Sequence, residues 1–344
     1  MIQKIEELNI HTVFFSKMKQ ISRFKIIPLW AAAMLLSMTS FAQTVVEQNE
    51  VAINVENVEN CKIYGALKVP ETNGKVPIVL IIAGSGPTDR NCNNPMMTCN
   101  AYQMLSDSLS RYGIASLRYD KRLIAKSRCE QKEDELRFED YVEDAKSWIE
   151  FLSQNELFTE IIIIGHSEGS LTGMIASVNN PKVSKFISIA GIGSPGDKIL
   201  KEQLSKQLES QPIAIKNQIF SYIDELKQGR LLENVPLSLY TLFRPSVQPY
   251  MISWFRYNPQ EEIAKLKIPI LILQGDFDVQ VSENDAILLH EATPTAKKMV
   301  IKNMNHVLKN SVSMNMNEQM TDSYNNSNTP INKELVENIV EFIK

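Results

Sequence analysis

Ser167 is the residue of this sequence best suited to act as a nucleophile. It lies at the centre of Gly165-His166-Ser167-Glu168-Gly169 and follows four consecutive isoleucines. The isoleucines predict a strand buried on both faces, and residues 171–178 predict a helix. A serine between two such glycines can occupy a sharp, strained strand-to-helix turn, with its hydroxyl exposed and the amide of Glu168 beside it. That hydroxyl could attack a carbonyl carbon, although the same residues could also form a plain turn.

In this strand and helix context the motif resembles the α/β-hydrolase superfamily. The loop 84–90, Gly-Ser-Gly-Pro-Thr-Asp-Arg, and a helical insertion are most similar to bacterial exported esterases and serine aminopeptidase-like (S33-type) hydrolases. The resemblance covers essentially all of residues 43–344. It implies an α/β fold with a mostly parallel central sheet, helices on both faces and a helical cap inserted before the acid-bearing strand.

The resemblance also implies an acid after the strand predicted at 268–274. Two aspartates follow that strand, Asp276 and Asp278. The family pattern Gly-x-x-Asp-x-x-Val, which spans 275–281 here, selects Asp278 as the third member of a catalytic triad. Asp276 is the alternative, and we predict that it caps the turn.

His306 is the expected general base. The family order of serine, acid and histidine places the histidine after the last strand, predicted at 297–301. Of the other histidines that follow the leader, His166 belongs to the Ser167 turn and His290 falls in a predicted helix. A neutral imidazole can remove the Ser167 proton near pH 7.

Two backbone amides are predicted to form the oxyanion hole. The strand predicted at 78–83 ends at Ala83-Gly84-Ser85, where many family members have His-Gly-x. The missing histidine matters little, because the donor is a main-chain N–H. The resemblance therefore implies the amides of Ser85 and Glu168, and the alternative is that the glycines only turn the loop.

One loop departs from the family. Many members have a glycine-rich turn where this chain has Leu123-Ile-Ala-Lys-Ser127. The absence of glycine predicts a conformation that does not need it. We expect the preceding Asp120 and Arg122 to form structural hydrogen bonds.

Residues 197–264 have a helical pattern and predict the cap. The core is then divided into residues 43–196 and 265–344. The aromatic and methionine side chains of the cap either line an apolar substrate pocket or pack its interior. They are Tyr240, Phe243, Tyr250, Met251, Trp254, Phe255 and Tyr257. A polar stretch without regular structure is predicted at 310–329, before a closing helix at 333–344.

Residues 1–42 predict a signal peptide. Basic residues precede an apolar run at 26–36, and Ser40-Phe41-Ala42 has small residues at the two positions a signal peptidase reads. The run is short for a membrane span, so we expect cleavage after Ala42, export to the periplasm or medium, and no membrane span in the mature chain.

The charge of the chain bears on its binding partners, and its cysteines bear on disulfides and metal binding. With 36 Lys+Arg against 40 Asp+Glu and no basic blocks, the chain gives no reason to expect nucleic acid as a partner. Cys92 and Cys99 are close enough in one loop to pair, but Cys61 and Cys129 leave the other pairings open. The cysteine and histidine spacing does not suit zinc.

We therefore expect an exported serine hydrolase that cleaves a small-molecule carboxylic ester, with no metal or organic cofactor. The alternatives are an aminopeptidase with the same triad and a catalytically silent binding protein. An aminopeptidase needs a buried acid for the substrate amine, and Glu202, Glu209, Asp224 and Glu225 are the candidates in the cap. The sequence fixes neither the substrate nor the oligomeric state.

Overall fold

The computed structural model describes residues 45–56 and 58–344. The predicted signal peptide lies outside these ranges. The strands are β1 Val45–Asn54, β2 Lys62–Pro70, β3 Val76–Ile82, β4 Asn93–Asn94, β5 Met97–Thr98, β6 Ala115–Tyr119, β7 Phe158–His166, β8 Val183–Ile189, β9 Ile270–Gly275 and β10 Lys297–Ile301. The α-helices are α1 Ala101–Arg111, α2 Phe138–Ser153, α3 Glu168–Ser177, α4 Gly196–Gln207, α5 Ile213–Lys227, α6 Tyr240–Phe243, α7 Gln248–Trp254, α8 Pro259–Ala264, α9 Glu283–Ala292, α10 Met316–Gln319 and α11 Lys333–Ile343.

Eight strands form one sheet in the order β1-β2-β6-β3-β7-β8-β9-β10. The β1–β2 and β2–β6 pairs are antiparallel, and every pair from β6 to β10 is parallel. This mostly parallel sheet with helices around it confirms the predicted fold class. The carboxyl ends of β6, β3, β7, β9 and β10 meet at one edge, where sheets of this kind bind ligands.

The isoleucines of β7 explain why the sheet is covered on both faces. Ile161 and Ile163 pack into the hydrophobic core on one side, and Ile162 and Ile164 pack into the core on the other. Successive side chains of a strand point to opposite faces, so a continuous apolar run needs two cores. Helices α2, α3 and α9 contribute to the first core, and α1 and α11 contribute to the second.

Helices α4 to α8 lie between β8 and β9, in the region where the sequence predicts a cap. Most of its large apolar side chains pack inward: Phe243, Met251, Trp254 and Phe255 are buried. Tyr250 instead lines a cavity. Within residues 45–56 and 58–344, no helix combines the length and hydrophobicity needed to cross a bilayer.

The disulfide joins Cys61 to Cys129. Cys92 and Cys99 are free and buried, so the pairing suggested by their proximity in sequence is wrong. The Cys99 thiol donates instead to the Cys92 carbonyl, 2.9 Å away. The observed pairing depends on tertiary structure, because a hydrogen bond from the Tyr64 amide to the Ser127 hydroxyl (2.9 Å) holds the loop after β6 beside β2.

Candidate active site

Ser167 occupies the turn between β7 and α3, with φ 56° and ψ −125°. A positive φ strains a residue that has a side chain, and such strain is typical of functional sites. The turn depends on its flanking glycines. A Cβ on Gly165 would overlap the backbone of Gly169, and a Cβ on Gly169 would overlap the carbonyl oxygen of Ala83. The strained turn predicted from the sequence is therefore present, and only glycine fits on either side of it.

Asp278 and His306 are in direct contact. Nδ1 of His306 lies 2.8 Å from Oδ2 of Asp278, and both residues are buried. A carboxylate can only accept, so Nδ1 carries the imidazole proton and Nε2 is left with a lone pair. This tautomer is the one that a general base requires.

The Asp278 carboxylate is held by fixed donors. Its Oδ1 accepts from the amides of Gln280 (2.8 Å) and Val281 (3.0 Å), and its Oδ2 also accepts from the Gln274 side chain (3.2 Å). Burial alone would raise the pKa of Asp278, but the charge of a protonated His306, the hydrogen bond from His306 and those from the Val281 and Gln280 amides lower it below its ordinary value. Asp278 is therefore ionised at neutral pH.

Asp276 does not cap the turn as predicted. Its Oδ1 is buried and has no hydrogen-bond partner among the described residues, because Asp278 itself accepts the hydrogen bonds from the turn amides.

Gly275 has a separate role in this region. A Cβ there would overlap the carbonyl oxygen of Met304, so glycine allows the loop that carries His306 to pack against the end of β9.

Ser167 and His306 line the same cavity, which has a volume of about 140 Å³. Gly84, Ser85 and Tyr102 contribute to its wall. Within the part of the chain that the structure describes, no hydrogen bond joins the Ser167 hydroxyl to another group. Nucleophile–base hydrogen bonds are often loose without substrate and tighten when it binds.

Both predicted oxyanion donors are beside Ser167. A Cβ on Gly84 would be 2.9 Å from the Ser167 Cβ, so the loop after β3 lies against the nucleophile. The Ser85 amide donates to no acceptor in the described ranges, and Ser85 lines the cavity. Glu168 is the first residue of α3, so its amide has no acceptor within the helix. Two unpaired amides next to a nucleophile can hold an oxyanion.

A hydrogen-bond network without a local signal in the sequence connects these elements. The Gly84 amide donates to the Tyr102 hydroxyl (3.2 Å), and that hydroxyl donates to Nδ1 of His166 (2.8 Å). Nε2 of His166 in turn donates to the carbonyl of His306 (2.8 Å). Burial and the charge of His306 lower the pKa of His166 to about 3, so this imidazole stays neutral. The directions follow because a carbonyl can only accept.

A second group without a local signal in the sequence, Lys121 with Glu168, lies near the loop after β3 that contains Gly84. Lys121 is only 4% exposed, and its ammonium donates to the Gly84 carbonyl, 2.6 Å away. Glu168, also buried, accepts from the Tyr250 hydroxyl (2.7 Å). Burial lowers the pKa of Lys121 and raises that of Glu168, while the opposite charge of each residue counteracts the shift of the other. The two charges therefore compensate each other within the protein.

The sequence predicts no regular structure for the stretch 310–329, and this prediction is wrong. The stretch contains α10 and a π-helical turn at Met320–Tyr324. The Gln319 side chain donates to the Phe277 carbonyl (2.9 Å), and that of Asn305 donates to the Ser323 hydroxyl (2.6 Å). These side-chain bonds to distant loops, which no sequence periodicity reveals, hold the segment beside His306.

The loop 123–127 also differs from its prediction. Leu123 has φ 68° and Ala125 has φ 46°, so the loop adopts left-handed conformations that favour glycine. It keeps this shape because the Ser127 hydroxyl donates to the Asp120 carbonyl (3.0 Å) and the Leu123 amide donates to the Ser127 carbonyl (3.0 Å). As predicted, Asp120 and Arg122 form structural hydrogen bonds: Asp120 accepts from the Arg90 amide (2.8 Å) and Arg122 pairs with Asp144.

The sheet topology and the turn that carries Ser167 define an α/β-hydrolase. Residues 96–310 match the model of the family described as serine aminopeptidase, S33, and the chain belongs to this family.

Relatives and solved structures agree with this class. Esterase EstD of Thermotoga maritima is 27% identical over 270 residues, a match that covers 76% of this chain and 60% of EstD. The chain thus spans less than two thirds of that relative. Est1E from Butyrivibrio proteoclasticus is 16% identical, with a TM-score of 0.55 over 86% of this chain and 97% of its own. The Pyrococcus furiosus esterase Pf2001, also 16% identical, has a TM-score of 0.56 over 94% and 97%. At this identity the two structures establish the fold alone.

Proposed function

We propose that the protein hydrolyses carboxylic esters through an acyl-enzyme on Ser167. Nε2 of His306 accepts the hydroxyl proton as Oγ attacks the ester carbonyl, and Asp278 stabilises the imidazolium. The amides of Ser85 and Glu168 hold the tetrahedral oxyanion. His306 then protonates the departing alcohol, and water attacks the acyl-enzyme by the same route in reverse.

The observation that carries this proposal is the buried contact between Asp278 and His306 at the cavity that Ser167 lines. A carboxylate that fixes the Nδ1–H tautomer beside a strained serine has a direct use in acyl transfer. The esterase name of the Thermotoga relative supports an ester as the substrate.

A peptide substrate is the alternative that the family description suggests. The cap acids considered for binding an α-amine do not suit that role. Glu202 and Glu209 are exposed, and Glu202 pairs with Lys206. Asp224 pairs with Lys201, and Glu225 pairs with Arg230. A surface carboxylate, and above all one already paired with a cation, gives little selective affinity for an amine, so these four cap acids give no support to a peptide substrate.

Turnover of acyl esters of graded length beside aminoacyl amides tests this function. The second cavity next to the Ser85 loop has a volume of about 150 Å³. Leu136, Val247 and Tyr250 form apolar parts of its wall, and charged side chains also line it: Lys121, Glu133 and Arg244. A cavity of about that size has room for a benzene-sized group, and its apolar wall can contact a short acyl chain. We expect activity to be highest for acyl groups of roughly six carbons or fewer. Ser167→Ala should abolish turnover, and an amide rate equal to the ester rate would favour the peptidase instead.

We also propose that the enzyme is exported, on the basis of the leader pattern in residues 1–42. The Cys61–Cys129 disulfide supports this, since disulfides persist mainly in oxidising compartments. N-terminal sequencing of the protein from the expressing cells tests it: a mature chain that begins at Gln43 is expected, and a retained leader would contradict export.

A further inference from the structure

We propose that Lys121 and Tyr102 are positioning residues that fix the Gly84–Ser85 peptide and thereby aim the Ser85 amide at the oxyanion. This inference rests on the proposed ester hydrolysis. It adds two residues, one on α1 and one after β6, to the groups on which that reaction depends.

Both backbone groups of Gly84 are held by side chains. Its N–H donates to the Tyr102 hydroxyl (3.2 Å), and its carbonyl accepts from the Lys121 ammonium (2.6 Å). Gly84 has no side chain to restrict it, and the 2.9 Å separation expected between a Cβ there and the Ser167 Cβ leaves no room for one. A glycine at this position therefore needs external contacts to hold one conformation.

The Lys121 contact determines where the Ser85 N–H points. The Gly84 carbonyl and the Ser85 amide belong to one planar peptide, and in a trans peptide the two groups point in opposite directions. Lys121 lines the cavity of about 150 Å³, and Ser85 lines the one of about 140 Å³ with Ser167 and His306. A carbonyl held toward the first cavity directs the N–H toward the second, where the oxyanion forms.

The ammonium is also suited to strengthen that donor. A hydrogen bond from a cation is stronger than one between neutral groups, and it polarises the peptide so that the N–H becomes a better donor. Lys121 reaches Gly84 because β6 and β3 are neighbouring parallel strands that end at the same edge. Its ammonium is 5.2 Å from the centre of the Tyr141 ring, on the same side of the loop.

Tyr102 acts on the opposite side of Gly84. Its hydroxyl accepts from Gly84 and donates to His166, whose other nitrogen bonds the His306 carbonyl. One hydroxyl thus links the loop that carries the oxyanion donor to the loop that carries the base. Its removal should disturb the oxyanion donor through Gly84. Because Tyr102 also lines the cavity of Ser167, the boronate and alcohol inhibition constants together separate this effect from a lost substrate contact.

Lys121→Met, which keeps the length of the side chain and removes the ammonium, is the primary test. We expect kcat for a good ester to fall by about 10- to 100-fold, with KM within twofold, because the loss falls on the oxyanion. The inhibition constant of an alkyl boronic acid, which forms a tetrahedral anion on the serine, should rise by a similar factor. That of the product alcohol, which forms no oxyanion, should not change. Lys121→Arg, which keeps a cationic donor, should recover part of the rate.

Lys185→Met is the matched control. Lys185 also donates to a backbone carbonyl, that of Ile343 at 2.7 Å, but it lies near the start of β8, away from the site. The kcat of Lys185→Met should equal that of the wild type. Lys185 is half-buried and also pairs with Glu160, so this control separates the general effect of removing a lysine contact to a backbone carbonyl from loss of the contact to Gly84.

Tyr102→Phe supplies an independent arm if Lys121→Met does not fold. We expect a fall in kcat of about 10-fold and a parallel rise in the boronate inhibition constant. Tyr119→Phe, another buried tyrosine whose ring packs on Trp148, should leave both unchanged. In the double variant the effects of Lys121→Met and Tyr102→Phe should be less than multiplicative, because both act on one peptide.

A kcat for Lys121→Met within twofold of wild type, or a boronate constant that does not move while kcat falls, would overturn the inference. So would equal losses in boronate and alcohol binding, which would indicate a collapsed cavity. Ser167→Ala separates this failure from that of the proposed function. If Ser167→Ala is inactive and Lys121→Met is normal, only the inference fails; if Ser167→Ala stays active, the proposed function itself is wrong.

Discussion

Asp278→Asn is the substitution that examines the triad most finely, because it preserves the shape of the side chain, removes its negative charge and replaces one acceptor oxygen with a donor NH₂. The amides of Gln280 and Val281 are fixed donors, so the single carbonyl oxygen of an asparagine must face them. Its NH₂ then faces Nδ1 of His306, where Oδ2 of Asp278 in the wild type accepts a hydrogen bond. The imidazole is forced to carry its proton on Nε2, and it cannot accept one from Ser167.

The expected loss is large. An aspartate-to-asparagine change that selects the wrong histidine tautomer in a catalytic triad lowers kcat by about 10⁴-fold, or roughly 5 kcal/mol of transition-state stabilisation. Stability should fall as well, because the asparagine NH₂ meets the Gln274 amide, which now donates to Oδ2 at 3.2 Å. The catalytic effect should therefore be measured on protein shown to be folded.

The assay is steady-state ester turnover, with circular dichroism and thermal unfolding of the same samples. Asp276→Asn is the control, since Asp276 is the neighbouring acid and forms no hydrogen bond to His306 in the part of the chain that the structure describes. We expect its kcat to stay within about threefold of wild type, because no hydrogen bond of the described residues joins the Asp276 side chain to the triad and the substitution keeps its size. If Asp276→Asn lost activity and folded Asp278→Asn kept it, the assignment of the acid would be wrong.

Three stability predictions follow from the backbone and the disulfide. Ala125→Gly should stabilise the fold by about 0.5–1 kcal/mol, because relief of the strain on a left-handed alanine exceeds the effect of the added entropy of the unfolded chain. Ala214→Gly in the helix α5 should instead destabilise it by up to about 1 kcal/mol. Denaturant unfolding that gave both changes the same sign would contradict this. Gly169→Ala should lower stability by about 3 kcal/mol, because the new Cβ would overlap the Ala83 carbonyl oxygen. Gly74→Ala, at a position with open space around it, should lower stability by less than about 1 kcal/mol. Equal melting temperatures of the two variants would refute the close packing of Gly169 against Ala83. Cys61→Ser opens a disulfide across 68 residues and should lower the free energy of unfolding by about 4 kcal/mol under oxidising conditions, with no difference from wild type once both are reduced.

The parts of the site that the sequence predicts are those with local signals. The buried strand β7, the glycines around Ser167 and the strand before Asp278 are each readable within about ten residues. The fold class follows from the same alternation of strands and helices. Chain order then brings Asp278 and His306 to one edge of the sheet.

The remaining features depend on contacts between residues distant in sequence. Lys121 and Gly84 are 37 residues apart, and Tyr102 and His166 are 64 apart. A lone lysine after a strand or a tyrosine on a helix has no pattern that distinguishes it from a packing residue. The loop at Leu123 shows a different limit. Its sequence has no glycine, yet hydrogen bonds within the loop, between Ser127 and the backbone of Asp120 and Leu123, hold the left-handed backbone.

The central claim is that Ser167 becomes acylated. It is tested most directly by reacting the folded enzyme with a fluorophosphonate and measuring the intact mass, followed by peptide mapping. One adduct per chain on the peptide that contains Ser167, absent after prior inactivation by heat, is the predicted result. A catalytically active enzyme that acquires no adduct there, or acquires it on another residue, would contradict the account.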